Sequence, residues 1–203
     1  MVTIAVTQID LIPSADVEAG EVFCGATDSP LTSAGLKALK RVVRRKKGWS
    51  AVVSSPLQRC RQFAAWVAER HGLPVHESRA FAELDFGDWE GLLPHAIMLD
   101  HPQDLTLWWA DPTQFTPPGG EPYPHFRKRV LQGWQLLLRK HKGQQVLLIC
   151  HPMVLRVLLA EVMQVPSYRL FTIHVEHGTL STLRVVHDEG GDWCSLMAHG
   201  DMG

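Results

Sequence analysis

The stretch that most constrains the fold is residues 146–159, VLLICHPMVLRVLL, where a buried strand turns directly into a helix. Its first four residues form a continuous apolar run, which is typical of a strand covered on both faces in a parallel sheet. Pro152 suits the first turn of a helix, because its φ is fixed and an N–H would have no partner there. His151 therefore lies at the carboxyl end of a central strand, where open α/β sheets bind ligands. A capped polar residue without a function is an equally good interpretation of His151 taken alone.

A second junction of the same kind follows the short apolar run at residues 51–53, which leads through Ser54, Ser55 and Pro56 into a predicted helix. Arg59 falls in the first turn of that helix, at the positive end of the helix dipole, where arginine is normally disfavoured. A buried anion partner would account for this position. The alternative is an arginine that faces solvent.

Residues 83–91, ELDFGDWEG, place several carboxylates beside aromatic residues. One such carboxylate, held near apolar rings, could have a raised pKa and serve as a proton donor. The alternative is a set of exposed acidic residues around a Gly-Trp turn. Residues from about 92 to 124 then form a cap-like insertion, which contains Trp108, Trp109 and a Pro- and Gly-rich loop, and insertions of this type often cover a pocket.

Composition restricts the class of protein. A chain of 203 residues with 45% hydrophobic content is long enough for one domain, residues 1–203, with one sizeable core. The formal net charge of -1 favours neither nucleic acid nor a membrane surface as a partner. Four cysteines without a CxxC pair, and an amino terminus without a basic, apolar leader, predict a cytoplasmic protein. No metal-site or Gly-rich phosphate-loop motif is present, so we expect no metal and no cofactor.

The alternation of strands and helices predicts an α/β fold, a three-layer α/β/α sandwich with a mostly parallel central sheet. The first strand is expected at residues 2–6, followed by a long loop over residues 10–26. Later strands are expected over residues 75–84 and near residues 171–175 and 180–186. From about Asp188 we expect a polar, glycine-containing tail that is poorly ordered.

Five segments occur in an order and spacing that match one known family. They are GATDSPLTSAG at 25–35, SSPLQRC at 54–60, AELDFGDWEG at 82–91, PPGGE with FRKRV within 117–130, and LLICHPMVLR at 147–156. Together they resemble the histidine phosphatase superfamily, with its phosphoglycerate-mutase-like fold, and most resemble its α-ribazole phosphatase group. The resemblance implies a phosphate pocket of two histidines and two arginines, in which one histidine attacks phosphorus and a carboxylic acid protonates the leaving oxygen.

Carried over residue by residue, the resemblance implies a role for each of three side chains. Arg59 would be a phosphate-binding arginine, Glu83 the catalytic proton donor, and His151 the second histidine, which binds substrate and stabilises charge. These roles are physically coherent, because a planar guanidinium binds phosphate oxygens bidentately and preorganised positive groups favour the transition state.

The family's Arg-His-Gly motif after the first strand is missing. The simplest register places residues 8–10, QID, at that position, and sliding to residues 11–15, LIPSA, restores nothing. No alignment helps, because the first basic residue of the chain is Lys37 and the first histidine is His71. Pro152 is a second departure, since it stands where glycine commonly follows the second histidine and has no N–H for a bound oxyanion.

These departures predict a degenerate member with little or no phosphomonoesterase activity, which retains part of an anion pocket for inorganic phosphate or a small phosphorylated molecule. The alternative is an active phosphomonoester hydrolase with a rearranged site, in which His151 attacks directly or Asp10 forms an aspartyl phosphate. A third hypothesis is an interaction role, in which Trp108, Trp109 and the insertion contact a protein partner or a second copy of the chain.

Overall fold

The computed structural model describes residues 4–201 and is built around a six-stranded sheet. The strands are β1 (Ala5–Pro13), β2 (Ala51–Ser54), β3 (Val75–Glu77), β4 (Gln145–Cys150), β5 (Leu180–Asp188) and β6 (Gly191–Asp201). Their order in the sheet is β3-β2-β4-β1-β5-β6. The first four strands of this order are parallel, whereas β5 and β6 are antiparallel to their neighbours.

In the described part of the chain, six α-helices connect these strands. They are α1 (Ser33–Val42), α2 (Gln58–His71), α3 (Pro94–Asp100), α4 (Pro102–Ala110), α5 (Tyr123–Lys140) and α6 (Pro152–Met163). Short 3-10 helices occupy Arg79–Phe81, Gly87–Trp89 and Ser167–Thr172. Within residues 4–201, no helix combines the length and apolar character needed to cross a membrane.

The central strand β4 is buried on both of its faces. Leu147 and Ile149 belong to the apolar cluster under α1 and α2, whereas Val146 and Leu148 belong to the cluster under α5 and α6. This alternation explains the uninterrupted apolar run, because each face of the strand meets a different helical layer. The predicted α/β/α sandwich with a mostly parallel sheet is confirmed.

The predicted boundaries were wrong at both ends of the chain. Strand β1 continues through Asp10 to Pro13 where a loop was expected, and residues 2 and 3 of the predicted strand lie outside the described residues. The predicted strand over residues 171–175 is replaced by the end of a 3-10 helix and a loop. The tail expected to be poorly ordered instead contains β6, which pairs with β5 along most of its length.

Residues 92–124 contain α3, α4 and the Pro- and Gly-rich loop. Trp108 on α4 is only 2% exposed, because it packs edge-on against Phe86 and Phe171. Trp109, in contrast, is 45% exposed. An interaction surface formed by both tryptophans is therefore wrong for Trp108, which belongs to the core.

Candidate functional site

The carboxyl ends of β1 and β4 lie side by side. Pro13 is opposite Cys150 in the parallel register, and the Ser14 N–H donates to the Cys150 carbonyl at 2.9 Å. Ser14 therefore follows β1 just as His151 follows β4. The register that put residues 8–10 at this edge was wrong, because those residues lie in the middle of β1 and the edge is formed by residues 13–15.

A cavity of about 550 Å³ opens at this edge of the sheet. It brings together all three residues predicted from the sequence: Arg59, Glu83 and His151. Other lining side chains come from the β1–α1 connection, α4, α6 and the segment before β5, and include Ser14, Asp16, Glu21, Cys24, Trp108, Trp109, Arg156, Phe171 and His177. A larger, more open groove of about 740 Å³ along α5 is lined by none of the three.

His151 is fully buried and bonded at both ring nitrogens. Its Nδ1 accepts a hydrogen bond from Arg59 Nε at 3.2 Å, because a guanidinium N–H can only donate. The proton of a neutral ring then lies on Nε2, which donates to Ser55 Oγ at 2.7 Å. Burial, followed by the charge of Arg59, lowers the pKa of His151 well below its usual value. The imidazole is therefore neutral at pH 7.

Arg59 is 2% exposed and is bonded mainly to the protein's own backbone. Its Nη1 donates to the carbonyl of Thr27 at 2.7 Å, and its Nη2 to those of Cys24 at 3.1 Å and Gly25 at 2.7 Å. With the bond to His151, four of its five N–H groups are occupied. The alternative of a solvent-facing arginine is wrong, and the guanidinium already holds carbonyl oxygens in place of an anion.

The loop that supplies these carbonyls is fixed from its other side by Glu90. The three amides of residues 25–27 donate to its carboxylate at 2.9–3.1 Å, and the amide of Phe86 does so at 3.0 Å. Burial alone would raise the pKa of Glu90, but the hydrogen bonds from Thr27, Phe86 and Ala26 lower it below its usual value. A methyl group at Gly25 would lie 1.8 Å from the Leu84 carbonyl oxygen, so only glycine fits there.

Glu83 is 6% exposed on the cavity wall. Its carboxyl oxygens accept from the amides of Leu84 at 3.0 Å and Met153 at 3.1 Å. Burial raises the pKa of Glu83 despite these bonds, which lower it. A buried carboxyl group with a raised pKa is suited to donating a proton. The exposed alternative is therefore wrong for Glu83, although it holds for Asp88 in the same segment.

Asp10 lies away from this cavity. Its carboxylate is 2% exposed and accepts from Trp49 Nε1 and from Thr182 Oγ1, both at 2.8 Å. Gln8 Nε2 donates to the same carboxylate at 3.3 Å. The aspartyl-phosphate alternative is therefore wrong for Asp10, because a substrate in the cavity cannot reach this side chain.

Sequence reasoning missed two basic side chains of the cavity, Arg156 and His177. Arg156 comes from α6 and donates through Nε to the Ile173 carbonyl at 3.1 Å. His177 shares a 2.7 Å hydrogen bond, through Nδ1, with the Ser14 carbonyl. Arg156 is the last residue of the segment that carries His151, so its helical spacing was a usable signal, whereas nothing local marks His177.

The charges around the cavity nearly balance. Two guanidinium groups, Arg59 and Arg156, and three carboxyl groups, Asp16, Glu21 and Glu83, line the cavity, and the raised pKa of Glu83 favours its uncharged form. Such a lining attracts a phosphate dianion weakly, since charged recognition requires a surplus of the opposite sign. Across residues 4–201, no three His, Cys, Asp or Glu side chains come together as candidate metal ligands.

Comparisons with known sequences identify the family of the chain. A family model described as Histidine phosphatase superfamily (branch 1) matches residues 14–197. The Bifunctional protein Rv2228c of Mycobacterium tuberculosis is 34% identical over 137 residues, which cover 68% of this chain but 37% of that protein. The Adenosylcobalamin/alpha-ribazole phosphatase of Salmonella typhimurium is 27% identical over 166 residues, 81% of this chain and 82% of that protein.

Solved structures resemble the whole chain. YhfR of Bacillus stearothermophilus has a TM-score of 0.87 at 24% identity, covering 96% of this chain and 97% of its own. The mycobacterial glucosyl-3-phosphoglycerate phosphatase Rv2419c, described in complex with inorganic phosphate, has a TM-score of 0.79 at 21% identity over 95% and 96% of the two chains. At these identities the likeness establishes the fold.

Proposed function

The chain belongs to the histidine phosphatase superfamily, and from this premise we propose that it is a member that has lost phosphomonoesterase chemistry while keeping the cavity as a ligand-binding site. The observation that carries the proposal is the hydrogen bonding of His151. It is fully buried and bonded at both nitrogens, with Nδ1 accepting from Arg59, and its lowered pKa favours a neutral ring, which offers no charge to a transferring phosphoryl group.

The end of β1 supports the same proposal. Where the resemblance implies an arginine and a nucleophilic histidine, the chain has Pro13 and Ser14. Replacing a charge-assisted contact to an anion by a neutral one forfeits about 1.5–3 kcal/mol. Loss of a nucleophile costs on the order of a million-fold in rate. Together these losses remove both the attacking group and part of the binding energy.

The partners of Arg59 are a further support. A phosphate that bound this guanidinium bidentately would have to displace at least one of the carbonyls of Cys24, Gly25 and Thr27, which Glu90 fixes through the loop amides. Glu83 keeps the raised pKa of a proton donor but has no leaving group to protonate once the nucleophile is missing. The cytoplasmic location expected from the cysteines is kept as part of the proposal, supported by four free thiols.

The test is hydrolysis of p-nitrophenyl phosphate and α-ribazole phosphate by the full chain, with the Salmonella typhimurium phosphatase as positive control. We expect turnover at least roughly 10⁵-fold below the 10 per second typical of enzymes. We also expect His151→Asn to leave any residual rate unchanged. Turnover near 1 per second that disappears in His151→Asn would refute the proposal.

A labelling experiment separates the remaining active alternative. If His151 attacked phosphorus directly, radioactive substrate quenched in base would leave an acid-labile phosphohistidine on the wild-type chain and none on His151→Asn. We expect no label on either protein. A label that survives a parallel quench in acid but is lost in base would instead indicate an acyl phosphate on a carboxylate other than the enclosed Asp10.

A further inference from the structure

Arg156 is the cavity arginine that the protein leaves free to bind. Its Nε donates to the Ile173 carbonyl at 3.1 Å, and this fixes the plane of the guanidinium. Among residues 4–201, its two terminal amino groups have no hydrogen-bond or ion-pair partner. Arg59, by comparison, donates four of its N–H groups to acceptors within the protein. A ligand anion in the cavity therefore finds its bidentate donor at Arg156.

Aromatic side chains line the cavity beside that guanidinium. The Arg156 guanidinium carbon lies 5.6 Å from the centre of the Phe171 ring. Phe171 contacts Trp108 with ring centres 5.7 Å apart, and Trp108 contacts Phe86 at 6.0 Å. These three rings and the half-exposed Trp109 all line the cavity. A planar apolar group is thus accommodated next to the free donors.

The charge of the lining selects among anions. The carboxylates of Asp16 and Glu21 offset the two guanidinium groups of the lining even when Glu83 is protonated, so a dianion meets little net attraction. A carboxylate carries a single charge, and its two oxygens match the planar fork of one guanidinium. The volume of about 550 Å³ lies in the range of small-molecule sites.

We propose that the cavity binds a small aromatic carboxylate, with the carboxylate on the terminal amino groups of Arg156 and the ring against Phe171 and Trp108. This inference rests on the proposed function, because a site still engaged in phosphoryl transfer would hold its anion between Arg59 and His151. The ligand class differs accordingly: a carboxylate monoanion with an aromatic ring, in place of a phosphomonoester.

Calorimetric titration of the full chain tests the proposal with matched probes. Phenylacetate and indole-3-acetate supply the ring and the carboxylate, phenylacetamide keeps the ring without the charge, and phenyl phosphate carries a dianion. We expect both carboxylates to bind at least tenfold more tightly than phenylacetamide and more tightly than phenyl phosphate. Arg156→Met is expected to raise the Kd of phenylacetate at least tenfold. Arg156→Lys should fall between, because an ammonium keeps the charge but loses the fork.

Arg169→Met is the matched control. The Arg169 guanidinium carbon also lies over an aromatic ring, 5.8 Å from the centre of Tyr168, but Arg169 is exposed and outside the cavity. The Kd of the Arg169→Met variant for phenylacetate should therefore equal that of the wild type. The proposal is overturned if neither carboxylate binds at millimolar concentration, if phenyl phosphate binds more tightly, or if folded Arg156→Met or Arg156→Lys keeps the wild-type Kd. Hydrolysis of phenyl phosphate that His151→Asn abolishes would instead refute the proposed function, and the Arg156 titrations would still be decided by their own readout.

Discussion

The ends of β4 and β1 are neighbours in one sheet, yet they carry different residues. β4 ends in His151, whereas β1 ends in Pro13, Ser14 and Ala15, with the two strands in register up to Cys150. Both ends satisfy the fold equally well, because a buried strand needs apolar faces and a paired backbone and makes no demand for charge. The comparison teaches that the fold can keep the position of a site whichever residues occupy it.

His151 itself has a structural use that accounts for its presence. It accepts from Arg59 and donates to Ser55, so it joins the end of β4 to the β2–α2 junction. At the end of β1, the Ser14 backbone performs the equivalent task by bonding to Cys150 and His177. The end of β4 is thus joined to its neighbours by a side chain, whereas the end of β1 is joined to its neighbours by main-chain groups.

The largest expected effect is that of Arg59→Met, which tests whether the β4 end is structural. Three carbonyls and His151 Nδ1 would lose their donor, and we expect the free energy of unfolding in urea to fall by about 3–4 kcal/mol. Arg61→Met, an exposed position on the same helix, should change it by less than about 0.5 kcal/mol. A loss below about 1 kcal/mol for Arg59→Met would contradict a structural role.

Next in size is the pH dependence contributed by His151. Its pKa in the folded protein lies well below that of the unfolded chain, so between these values the unfolded state binds the extra proton. The stability it contributes is complete above about pH 6.5 and is lost as pH falls, by up to about 1.4 kcal/mol per pH unit. Urea unfolding at pH 7, 6 and 5 should therefore show a steeper loss for the wild type than for His151→Asn. The exposed His125→Asn serves as control and should follow the wild type, whereas parallel curves for wild type and His151→Asn would contradict a neutral buried ring.

The smallest expected effect is that of Pro152→Gly, which restores the residue common in the family and its N–H. Glycine gains entropy in the unfolded chain, so we expect a loss of about 0.4–1 kcal/mol in urea unfolding. Pro102→Gly at the start of α4 should cost about the same, since both prolines occupy the first turn of a helix. Phosphatase activity appearing in Pro152→Gly would break the comparison, because it would mean that one missing donor had silenced the site.

Local pattern was sufficient for the centre of the fold and insufficient at its edges. The run before His151 and the proline after it predicted β4 and α6 because burial on both faces leaves no polar residue in the strand. Asp10 interrupted the same apolar pattern in β1, and the strand was therefore predicted to end too early. The hydrogen-bond partners that allow Asp10 to be buried, Trp49 and Thr182, lie far along the chain. The last strand, β6, is largely exposed at the sheet edge, so it lacks the apolar alternation that marks a strand.

The sequence predicted which three residues share the cavity, but it did not predict their hydrogen bonds. Arg59, Glu83 and His151 share one cavity because each lies close after a strand or turn at the same sheet edge. The hydrogen bonds of Arg59 depend on how the loop at residues 24–27 folds back, and no spacing in the sequence records that. Arg156 was overlooked for a similar reason, because its freedom is visible only when the partners of every other cation are known.

The fixed conformation of the loop at residues 24–27 has a consequence for ligand binding. Glu90 holds the amides and Arg59 the carbonyls, so this wall of the cavity is ordered before any ligand arrives. Binding of a ligand therefore requires no ordering of this loop, and this conformational-entropy cost does not reduce its affinity. Amide hydrogens of residues 25–27 should accordingly exchange with solvent as slowly as those of the sheet, although they belong to no helix or strand.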